Sequence, residues 1–126
     1  MTNERLHRLI ETIGSSVSTG TRNGGVANWH FEYSGRQIAI VTDDNPFDRM
    51  RIMTPIVVES DVRDSELRIL LSANYDRAID AKFAIASGYL WSLFTHPLRA
   101  LSDEQFLDAV EPVSYTHLTL PTIYSV

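Results

Sequence analysis

The stretch Ala81–Pro97, Ala-Lys-Phe-Ala-Ile-Ala-Ser-Gly-Tyr-Leu-Trp-Ser-Leu-Phe-Thr-His-Pro, constrains the fold more than any other. Phe83 and Ile85 alternate with Lys82 and Ala84 at the period of two that a strand requires. Past Ser87-Gly88, the residues Leu90, Trp91, Leu93 and Phe94 form a run apolar on both faces. Two such strands around a two-residue turn make a β-hairpin. The second strand has no polar side to give to water, so it is expected in the middle of a covered sheet. The rest of the chain must supply that sheet and its cover.

Leu6, Leu9, Ile10, Ile13 and Val17 recur at helical spacing, which predicts an amphipathic first helix capped by Thr2 or Asn3. From Gly14 to Gly25 the composition turns to Ser, Thr, Gly and Asn without periodicity, and a flexible connection is expected. Trp29, Phe31 and Tyr33 alternate with Asn28, His30 and Glu32 in a strand from Ala27 to Tyr33. Ser34-Gly35 turns it into a second strand, Arg36 to Thr42, and Asp43-Asp44-Asn45-Pro46 into a third, about Arg49 to Val58. Pro55 cannot donate to a ladder and places that third strand at an edge or on a bulge. A second helix carrying Leu67, Leu70, Leu71 and Tyr75 is capped by Asp61 or Asp64 and ends near Asn74 to Asp76. After the hairpin, Ser102 with Gln105 forms a capping box, and Leu101 with Phe106 a hydrophobic staple. That third helix buries Phe106, Leu107 and Val110 and is expected to stop at Pro112. The order is α-βββ-α-ββ-α: an α+β domain with an antiparallel sheet of about five strands and helices packed on it.

One domain fits 126 residues; two do not. A net charge of −5 leaves no basic surplus for phosphates, so neither nucleic acid nor an anionic membrane is an expected partner. The absence of cysteine removes disulfides, thiol nucleophiles and thiolate metal sites together, which suits a cytoplasmic protein. Met1 to Arg8 has no apolar leader core, and no run reaches the ~18 residues of a membrane span. A soluble, unexported protein is the expectation.

Residues 113–126 contain no charge, whereas all 27 charged residues lie in the first 112. Val113 to Thr122 closely resembles the translation of a sequencing-library adaptor read in one frame. On that reading the domain is 1–112, the tail 113–126 is foreign, and Tyr115 and His117 have no function.

No stretch carries a catalytic signature, and no cofactor is expected. His7, His30, His96 and His117 show no metal-ligand spacing. Asp43, Asp44 and Asp48 crowd one turn without the register of a calcium loop and read as solvated acids. Neither Ser15-Ser16 nor Ser87 sits in a nucleophile elbow. Asn74 to Asp80 reads as an ion-paired corner fixing the second helix to the sheet. The aromatic strands offer more: Trp29, Phe31, Trp91 and Leu93 either fill the core or leave an apolar patch that marks a partner surface. A small-molecule-binding or sensory domain is the alternative, with a pocket beside Tyr75, Arg77 and His96.

Phe47-Asp48-Arg49-Met50-Arg51-Ile52-Met53-Thr54-Pro55-Ile56, Leu71-Ser72-Ala73-Asn74-Tyr75-Asp76-Arg77-Ala78, Gly88-Tyr89-Leu90-Trp91 and Phe94-Thr95-His96-Pro97-Leu98 are similar to recurrent stretches of YbjN-like sequences. The element order likewise resembles the fold of class I type III secretion chaperones and the YbjN-type bacterial proteins, over most of residues 1–112. The resemblance implies a non-enzymatic, chaperone-like protein that self-associates as a homodimer and holds an extended segment of a partner protein or peptide. It offers no active-site residues.

Overall fold

Residues 1–21, 26–76 and 81–115 are described by a computed structural model. Helix α1 (Asn3–Ile13) begins where the Thr2 hydroxyl accepts the Arg5 N–H at 3.2 Å, and its apolar stripe buries Leu6 and Ile10. Strand β1 (Ser15–Thr21) follows at once, in place of the expected flexible connection. Its Ser/Thr composition carries no hydrophobic period because β1 is an outer strand, held mainly by its ladder to β2 (Val26–Tyr33), with Val17 partly buried against the core. Ser34 and Gly35, both at positive φ, turn β2 into β3 (Arg36–Asp43). Strand β4 is Arg49–Val58, with its register shift between Pro55 and Val57, so the proline sits on the bulge.

A 3-10 turn (Glu59–Asp61) leads into α2 (Asp64–Asp76). Neither Asp61 nor Asp64 caps this helix. The Glu66 carboxylate reaches back instead to accept the Arg63 backbone N–H at 3.0 Å. Strands β5 (Lys82–Ala86) and β6 (Tyr89–His96) form the expected hairpin, with Ser87 and Gly88 at positive φ. Helix α3 (Asp103–Tyr115) opens on the reciprocal Ser102–Gln105 box, at 2.9 and 3.0 Å. It runs through Pro112 rather than ending there, because Val113 beyond the proline is fully buried in the core. The tail boundary at 112 therefore falls inside a helix.

The sheet has six antiparallel strands in the order β1-β2-β3-β4-β6-β5, one more than expected. Direct pairing puts Trp29, Ile40, Ile52 and Phe94 on one face. Leu6 and Ile10 of α1 and Phe106, Val110 and Val113 of α3 pack on that face. Leu70 of α2 covers Phe83 and Leu90 of the same face. Arg5 of α1 makes two 2.7 Å hydrogen bonds to the Asp103 carboxylate, tying α1 to the start of α3. That pairing holds the Asp103 carboxyl below the usual carboxylate range.

Candidate partner-binding surface

With the described helices all on one face, the register fixes what the other face shows. Ala39 lies opposite Met53, Met53 opposite Leu93, and Pro55 opposite Trp91. Across β6, Ala84 lies opposite Trp91 and Ala86 opposite Tyr89. These residues form an apolar band with no helix over it among the described residues. Met53, Trp91 and Leu93 are half-buried by their neighbours in the sheet, while Tyr89 is 44% exposed. The Trp91 indole N–H donates to the Ala86 carbonyl at 2.8 Å, and its ring meets Tyr89 edge-on at 6.0 Å between centroids. Its one donor is thus already used, so covering this ring with an apolar group would strand no polar atom.

Strand β6 is internal as expected, but among the described residues helices cover only one of its faces. Trp91 and Leu93 belong to the open face. Trp29 and Phe31, expected with them at a partner surface, are 4% and 1% exposed and lie in the core under α1 and α3. Opposite faces of β2 and β6 explain the split: Trp29 pairs through Ile40 and Ile52 with Phe94, whereas Trp91 and Leu93 are one step out of phase. The Trp29 indole N–H donates to His7 Nδ1 at 3.1 Å, and His7 Nε2 contacts Glu11, so that buried donor is satisfied from α1. Trp29 also floors an open cleft of about 570 Å³ whose walls include Glu4, His7 and Arg8 of α1.

The two sheet edges differ. On β5, the Asn74 side chain at the end of α2 accepts the Phe83 N–H at 2.7 Å and donates to the Phe83 carbonyl at 2.9 Å. Lys82 Nζ donates to the Asn74 carbonyl at 2.8 Å. Asn74 therefore fills the place a further strand would take at Phe83. This amide clamp, not an ion pair, is what the described residues show at the expected ion-paired corner; Arg77 and Asp80 lie outside them. Strand β1, the other edge, carries no charge and no proline, and its ladder to β2 shifts register between Ser15 and Ser18.

Tyr75 projects from the last turn of α2 and is 86% exposed. His96 ends β6, opposite Met50, with Nδ1 at 2.8 Å from the Pro97 carbonyl. Along β6, His96 is four residues from Ser92, the partner of Phe83, which is about 13 Å of strand. Tyr75 and His96 are thus not brought together, and Arg77 lies outside the described residues. Asp48 is not a free turn acid: it accepts the Arg99 N–H at 2.8 Å and ties the β3–β4 turn to the start of α3. Among the described residues no group of three His, Asp or Glu side chains is placed to hold a metal, and no helix is long and apolar enough to cross a membrane.

No family model and no curated protein sequence matches the chain. Solved structures do. An uncharacterized protein from Methanothermobacter thermautotrophicus superposes with a TM-score of 0.67 at 9% identity, covering 98% of this chain and 96% of that one. A chain of the HopA1-SchA chaperone-effector complex gives 0.56 at 12% identity over 77% of this chain and 75% of that one. A chain of the ExsC-ExsE complex gives 0.54 at 14% identity over 98% and 96%. The α+β fold is of the type III secretion chaperone-like class.

Proposed function

We propose that this chain is a non-enzymatic protein-interaction module of the YbjN and secretion-chaperone-like kind, holding a partner protein or peptide on the sheet through its apolar face and free edge. The observation that carries the reading is the uncovered apolar band around Trp91 and Leu93, backed by a fold it shares with a chain of a chaperone-effector complex. An uncharged outer strand such as β1 can accept a further strand from a partner. Self-association as a homodimer falls in this reading to α2, whose outer side exposes Ile69, Leu71 and Tyr75. The reading places the protein in the cytoplasm and treats residues 113–126 as foreign to it. The small-ligand alternative is favoured by one observation, the cleft at α1, and so moves away from Tyr75, Arg77 and His96.

Native mass spectrometry of the chain purified from its natural host, with its own C-terminal continuation in place of residues 113–126, tests the reading. A stoichiometric protein passenger, lost in Trp91→Ala while the fold is retained, is the expected result. A passenger-free protein carrying a small mass adduct would overturn it in favour of a ligand-binding domain.

A further inference from the structure

One end of the open face is charged. Arg49 and Arg51 lie two residues apart on β4, opposite Asp43 and Val41, and continue the row that leads to Met53 and Pro55. Neither arginine has a carboxylate within ion-pair distance among the described residues. Arg49 rests on the Phe47 ring at 5.3 Å, and the Arg51 Nε is shielded from solvent without an acceptor. Both side chains line a hollow of about 130 Å³ with Val26, Val41, Thr42 and Asp43. Asp43, the acid nearest to them, accepts the Asn45 N–H at 3.1 Å and leaves the two guanidiniums in excess over one carboxylate. The chain is acidic overall, yet Asp103, Glu104, Asp108 and Glu111 of α3 and Asp64 and Glu66 of α2 belong to the helical layer on the far side of the sheet. The open face therefore couples an unneutralised basic end to an apolar band.

From this geometry we infer that the open face takes an amphipathic helix of the partner whose first turns carry carboxylates and whose following turns carry leucine-like side chains. The inference rests on the partner-binding reading and adds the chemistry of what is bound. An extended strand laid flat on the face would bring its own unpaired N–H and C=O groups against Met53 and Trp91; a helix satisfies them internally. The spacing also fits. Arg49, Arg51, Met53 and Pro55 recur about every 6.6 Å along β4. Helix residues four apart are separated by about 6 Å, so two acids at i and i+4 meet the two arginines, and apolar residues from i+7 to i+14 reach Met53, Leu93 and Trp91. Carboxylates in the first turn also suit the helix dipole.

The probe is a fluorescein-labelled sixteen-residue helical peptide. It has glutamates at its second and sixth positions, leucines at the ninth, thirteenth and sixteenth, and alanine, glutamine and lysine elsewhere. Fluorescence anisotropy should show saturable binding that weakens tenfold or more with the Arg49→Gln/Arg51→Gln protein. The peptide with glutamine for both glutamates should bind wild type as weakly, and combining both changes should cost little more. Trp91→Ala should weaken both peptides, and backbone amide shifts should fall on β4 and β6. Equal binding of the glutamate and glutamine peptides, shifts confined to α1 and β1, or a dimer that Met53→Glu splits would each overturn the inference. If the glutamate peptide fails to bind while a native passenger is present, only this inference falls; if the passenger is absent too, the partner-binding reading falls with it.

Discussion

Replacing Asn74 by alanine should both destabilise the domain and unmask its β5 edge. The Asn74 amide makes two hydrogen bonds to the Phe83 backbone, at 2.7 and 2.9 Å, and each is worth about 1 kcal/mol net. Asn74 is only half-buried, so water can replace it at Phe83 and the full penalty of an unsatisfied buried group does not apply. The expected loss is therefore about 2 kcal/mol, which for a domain of this size lowers Tm by about 8 °C. Asn74→Asp separates the two bonds: it keeps an acceptor for the Phe83 N–H but sets a carboxylate against the Phe83 carbonyl, and should lose a comparable amount. Urea denaturation gives the energies, and amide exchange at Phe83 reports whether the loss is local. With the clamp gone, the β5 edge loses its cover at Asn74, so light scattering should show concentration-dependent association beyond that of wild type. A loss below about 0.5 kcal/mol with Phe83 exchange unchanged would refute the assignment of Asn74 as the guard of this edge.

Gly14→Ala should be costly for a different reason: an added Cβ would lie 2.4 Å from Cδ2 of the fully buried Phe31, and overpacking of this kind costs about 1–3 kcal/mol by urea denaturation. His7→Leu removes the acceptor of the Trp29 indole N–H beside the open cleft, where water can replace it, and should destabilise by about 1 kcal/mol, whereas His7→Leu with Trp29→Phe should recover part of that loss in a double-mutant cycle. The Glu66 carboxyl is held below its ordinary 4.5 by the Arg63 backbone N–H first and the Arg63 guanidinium next. A lowered folded value means stability that is complete above the ordinary value and lost as pH falls through the lowered one, so urea midpoints should decline below about pH 4.5 and decline less steeply in Glu66→Gln.

Local rules carried most of the fold. Ser34-Gly35 and Ser87-Gly88 specify tight hairpins because both positions of each turn need positive φ, and the Ser102–Gln105 box marks a helix start from side chains alone. Strand β1 was not legible, since Ser15–Thr21 is ordered by pairing with β2, and a ladder of backbone groups leaves no hydrophobic period in the outer strand. Pro112 misled for a related reason: its local preference to end a helix yields to the burial of Val113 one residue further on. The Asn74 clamp joins residues nine apart whose side-chain chemistry gave no signal of the pairing.

The partner surface divides along the same line. Alternation identified Trp29 and Phe31 on β2, and the aromatic run identified Trp91 and Leu93 on β6, as residues needing cover. A period of two says that a strand has two faces; it does not say which one the helices will take. Strand register settles that question. It puts Trp29 and Phe31 beneath α1 and α3 and leaves Trp91 and Leu93 on the open side, next to two arginines that only sheet pairing brings into line with them. The sequence by itself determined most of the elements and their order, with β1 the exception, because turns, caps and periodicity act over a few residues. Tertiary structure alone decided which apolar residues are core and which are surface, because burial depends on what packs from elsewhere in the chain.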